Sequence, residues 1–205
     1  MTLLDHAAKQ LRAVWKMVVN DENWRDEIYH SVDAVFKSLW AIAYTFPLVV
    51  LRAITAQRSA KGFDETTNLP LIDASPVVFA SVEAITFLLD WALSITLLII
   101  VAKVLNLGRR SADVIISYNW IQLPMVASSL LPALALGIPG GVGVAMLIAL
   151  PIFILQIAML WGVIRRGFET EVAPTIAIIT LLFLTGFILS VAITSLASWM
   201  IGIPA

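Results

Sequence analysis

Five long apolar stretches decide what this chain can become. They run roughly Ser38–Ile54, Val77–Leu105, Val114–Leu136, Gly143–Ile164 and Pro174–Trp199. At about 1.5 Å per helical residue, each is long enough to cross a hydrocarbon core of roughly 30 Å, with the first short and the second and fifth long enough to tilt or protrude. Inside lipid, backbone N–H and C=O groups must be satisfied within the segment, so each stretch is expected to be a helix. Sixty per cent of the 205 residues are hydrophobic and 13% are charged, more apolar surface than one soluble core could hide. The sequence therefore predicts an all-α integral membrane protein: a five-span domain over residues 33–205, preceded by an amphipathic leader over residues 1–32. A net charge of −1 gives no electrostatic reason to expect nucleic acid as a partner.

Basic residues orient the spans. Lys9, Arg12, Lys16, Arg25, Lys37, Lys103, Arg109, Arg110, Arg165 and Arg166 fall on the side of the N-terminus, and only Arg52, Arg58 and Lys61 on the other. Ten against three predicts a cytoplasmic N-terminus and an outside C-terminus, in a bacterial inner membrane a periplasmic one. Asp5, Lys9, Arg12 and Lys16 interrupt the first twenty residues, so no apolar core of a cleavable signal is present and the leader is expected to be retained. Leu4, Leu11, Trp15 and Val18 recur in it at helical spacing, which suits a helix on the lipid surface or one packed on the protein's own loops. Asn20–Glu27 then reads as a solvated turn opening a second short helix. The longest loop, about residues 56–76, carries Gly62, Asp64, Glu65, Pro70, Asp73 and Pro76, without the spacing of a calcium loop.

Asp90 stands deep in the second span, and Glu83 precedes it by two helical turns on nearly the same face. Thr86 and Ser94 share that face, which continues inward as Leu97 and Val101. A charge at this depth costs about 2.5–3.5 kcal/mol on insertion scales and usually faces protein or water. The stripe reads as a polar groove opening outward, and Arg52 in the first span is the expected partner of Asp90. Gln122 and Gln156 flank the tight turn Gly137–Gly143 almost symmetrically and are expected to bond each other on the inner half. With Ser117, Tyr118 and Asn119 they could form the inner part of a pathway. Pro47, Pro124, Pro132 and Pro151 can kink their helices. Gly186, Ser190, Thr194 and Ser198 form a helix-packing seam of small residues in the last span.

The chain contains no cysteine, and its histidines, His6 and His30, lie outside the spans. No P-loop, nucleophile elbow or zinc-protease motif is present, and Asp90 is the only aspartate well inside a span. These absences argue against an enzyme and predict no cofactor and no metal site.

The approach to the first span, Ser31-Val-Asp-Ala-Val-Phe-Lys-Ser-Leu-Trp-Ala41 followed by Pro47, together with the five-span layout, resembles the Yip1-like superfamily. The Asp-Leu-x-Gly-Pro motif of the eukaryotic branch is absent, so no functional residue is carried over. The resemblance implies membrane organisation, trafficking or scaffolding rather than catalysis. The expected partners are the lipid bilayer and either further copies in a homo-oligomer or a larger membrane complex. The alternative is a small transporter or ion-conducting protein using Asp90.

Overall fold

The structure, a computed structural model, describes residues 3–28, 31–60, 71–138 and 140–202. All regular structure among them is helical: α1 (Leu3–Val19), α2 (Trp24–Glu27), α3 (Val32–Ser38), α4 (Trp40–Ala60), α5 (Pro76–Val104), α6 (Ser111–Leu136), α7 (Gly141–Phe168) and α8 (Val172–Met200). A single 3-10 turn, Gly108–Arg110, joins α5 to α6. Five segments are long and apolar enough to cross a membrane: Asp33–Ser59, in which α3 and α4 run on from each other, Pro76–Val104, Gly108–Leu136, Gly141–Phe168 and Val172–Met200. The chain is a multi-pass membrane protein. The helices outrun the apolar stretches because charged residues extend their last turns; Arg165 and Arg166 belong to α7 and Lys103 to α5, not to loops. Lys61, Gly62, Asp64, Glu65 and Pro70 of the long loop, and His30, lie outside the described residues.

Helix starts follow local chemistry. The Ser31 hydroxyl accepts from the Ala34 N–H at 3.0 Å, and Ser75 accepts from Val78 with Pro76 in the first helical turn, where its missing N–H costs nothing. The long loop is drawn back onto α4 by Gln57, whose amide donates to the Ile72 and Ala74 carbonyls.

The axis of the bundle is the first half of α6. Every residue from Asp113 to Ile121 is buried, enclosed by α1, α3, α4, α5 and α7. Trp120, fully buried, stacks on Tyr44 at 6.2 Å between ring centroids and meets the edge of His6 at 5.9 Å. The leader is therefore part of the bundle. It buries Ala7, Ala13, Val14 and Met17 and leaves Trp15 and Val19 exposed, so the face it seats is rotated from the one its Leu-Leu-Trp-Val repeat marks. The fit explains the rotation. Glycines on α7 admit its neighbours closely: a Cβ on Gly162 would stand 2.7 Å from Val18 Cα of α1, and one on Gly167 would stand 2.5 Å from Val114 Cγ2 of α6 and 3.1 Å from Met17 Cε of α1.

Arg166 locks this contact. It donates through Nη1 to the Met17 and Val18 carbonyls in the last turn of α1, and through Nε to Asn20 Oδ1 at 2.7 Å. Asn20 itself takes the left-handed conformation that ends the helix, φ 66°, a geometry Asn tolerates better than most side chains. Glu169, at the end of α7, pairs with both Arg25 of α2 and Arg110 at the start of α6. Lys16 and Glu27 join α1 to α2 at 2.6 Å.

Candidate functional site

Asp90 is the middle residue of α5, and Gly186 is the middle residue of α8; both helices have 29 residues. Gln122 is likewise central in the Gly108–Leu136 segment. Three helices thus place a carboxylate, an amide and a glycine at one depth. α5 and α8 touch there: a Cβ on Gly186 would lie 2.7 Å from Asp90 Oδ1. Absence of a side chain at 186 is what gives the half-buried carboxylate its space.

Arg52 does not reach Asp90; its guanidinium meets Glu83 at 3.2 Å instead. Depth explains the correction. At about 1.5 Å per residue, Arg52 lies roughly 9 Å and Glu83 roughly 10 Å outward of their helix centres, whereas Asp90 is at the centre. No ion pair among the described residues involves Asp90. On the same stripe the Thr86 hydroxyl is satisfied by its own helix, donating to Val82 O at 2.8 Å.

The polar character continues inward on α6. The Tyr118 hydroxyl faces Ser94 and Gln122, with Asp90 within electrostatic reach. Beside it, Asn119 is fully buried; its Oδ1 accepts from the Trp91 indole at 2.8 Å and its Nδ2 donates to Ser38 Oγ at 2.7 Å. That triad ties α5, α6 and α3 together. Ser117 Oγ and the Trp120 indole nitrogen are buried with no partner among the described residues.

Gln156 does not pair with Gln122. Its amide donates to the Met125 carbonyl at 2.9 Å and to Ser128 Oγ at 3.3 Å. Both glutamines sit near mid-depth, so each is satisfied by the nearest turn of α6 rather than by the other. Of the small-residue seam, Gly186 faces Asp90, Ser198 is buried with an unpaired hydroxyl, Thr194 is half-buried and Ser190 is exposed. The seam thus packs partly within the chain and does not act as one continuous face.

Two members of this site carried no flag in the sequence reading. Trp91 follows Asp90 directly, and a buried indole N–H needs an acceptor, which was the available signal. Ser38 lies at the edge of the first apolar stretch and has no comparable one.

Chemically, the arrangement can hold a proton or a polar group at mid-depth, because a carboxylate, a phenol, a hydroxyl and an amide converge there. No group of three or more metal-ligating side chains occurs among the described residues. Comparison with family models, curated proteins and solved structures finds no match to the chain.

Proposed function

We propose that this is a non-enzymatic protein of a bacterial inner membrane, N-terminus cytoplasmic and C-terminus outside, acting in membrane organisation or as a scaffold through protein or lipid partners. The observation carrying this reading is the clamped leader. Arg166 and Gly162 fix α1 against α7 so that Trp15 and Val19 stay exposed next to Arg12. A fixed amphipathic surface at the membrane boundary suits a docking role, and it does nothing for an interior reaction. The Yip1-like layout points the same way.

The test is in-membrane cross-linking and lipid-vesicle binding of the full chain against W15S/V19S, with helix content as the control. A fall in both partner recovery and vesicle binding is expected. Unchanged recovery and binding in a folded variant contradicts the reading.

One observation favours a second reading, a small transporter or ion-conducting protein. Asp90 is at mid-depth without a cationic partner among the described residues, and such carboxylates commonly serve proton or cation relays. Proton flux into liposomes, wild type against Asp90→Asn, separates the two.

A further inference from the structure

A recess of about 430 Å³ opens where α5 turns into α6, lined by Ala102, Lys103, Asn106, Leu107, Arg109 and Arg110. No acidic side chain lines it. Lys103 and Arg109 take part in no ion pair among the described residues, and Arg110 is shared with Glu169. The last carbonyls of α5 are already consumed: Leu105 N–H donates to Val101, Asn106 to Lys103 and Leu107 to Ala102. The negative end of the α5 dipole is therefore blunted, and the positive start of α6 adjoins the same recess. A second recess nearby, between α2 and the end of α7, makes the contrast. Its Arg25 is spent on Glu169 and its Arg166 on the α1 carbonyls, and Asp21 and Glu22 also line it.

Around the basic recess the surface is apolar. Val104 is 71% exposed and Leu105 43% exposed at its rim, and Ile99 and Ile100 continue that exposed surface up α5. A dissolved anion has no use for such a wall, whereas acyl chains descending along α5 would cover it. We infer that the α5–α6 turn binds the phosphate headgroup of an anionic phospholipid, with Lys103 and Arg109 as its charge partners and Ile99, Ile100 and Val104 against its chains.

The experiment is native mass spectrometry of the full chain in detergent, titrated with phosphatidylglycerol or phosphatidylcholine. Both ends of the protein are accessible in detergent, so the result does not depend on membrane orientation. Wild type is expected to bind phosphatidylglycerol more tightly, and K103Q/R109Q to lose about tenfold or more of that affinity. K37Q/R165Q, which removes equal charge elsewhere on the same end, is expected to change it little. Inorganic phosphate at millimolar concentration should not displace the lipid. No preference in wild type, an equal loss in both double variants, or displacement by phosphate overturns the assignment.

Discussion

The first half of α6 and the whole of α8 are both membrane-length helix, yet they live in different solvents. From Asp113 to Ile121 no residue of α6 is exposed, whereas α8 buries only Thr175, Ile178, Ile179, Leu182 and Ser198. On α6 Asn119 is bonded across to other helices, to Trp91 and Ser38. On α8 the Thr185 hydroxyl turns back to its own backbone at Leu181, the arrangement a lipid-facing helix requires. The difference teaches that hydropathy alone does not tell a lipid-facing helix from an axial one. α5 lies between these regions, and its Asp90 faces α8 at Gly186 and α6 at Tyr118.

The comparison breaks most easily at the cover of α6. Gly162→Leu puts a side chain into the α1 backbone, an overpacking of about 1–3 kcal/mol or more. The leader should detach, seen as faster proteolysis between α1 and α3; unchanged protection would mean that α6 is not held closed by α1. Next comes Asn119→Leu, which strands the Trp91 N–H and removes the donor to Ser38 Oγ, whose hydroxyl keeps its bond to the Val35 carbonyl. A loss of about 1–3 kcal/mol in detergent unfolding is expected, nearer 0.6 if the unfolded state in detergent finds other partners.

A third pair sharpens the α8 side. Gly186→Leu should disturb α5–α8 packing and lower thermal stability, while Ser190→Leu, on the exposed face, should stay within about 0.5 kcal/mol of wild type. Equal effects would mean that the seam acts as a unit. The smallest effect concerns His6. Burial, then Lys37 and Lys9, hold its imidazole below the ordinary value of 6.5. Its contribution to α1 docking is therefore complete above about pH 6.5 and declines as pH falls through the lowered folded value. The protection factors of α1 amides, exchange rates corrected for the intrinsic pH dependence, should fall between pH 8 and pH 5.5 in wild type and less so in His6→Phe.

The class of fold was legible because apolar length is a direct property of sequence, and five stretches became five spans. Helix ends were less so: Arg166 looks like a loop residue until the α1 carbonyls it bonds are known. The leader's seating face was missed because Met17 and Val18 pack on Gly167 and Gly162, more than a hundred residues away. The Arg52–Glu83 pair was within reach of depth counting. Placing Asp90 against a glycine was not, since nothing at 186 marks its partner.

On the function proposed above, this membrane protein works through partners and Asp90 is a residue lodged in a helix contact. Proton flux into liposomes carrying the full chain, compared across pH for wild type and Asp90→Asn, tests it most directly. The account predicts flux no greater than that of empty vesicles in both. A pH-dependent flux in wild type that Asp90→Asn abolishes would contradict it.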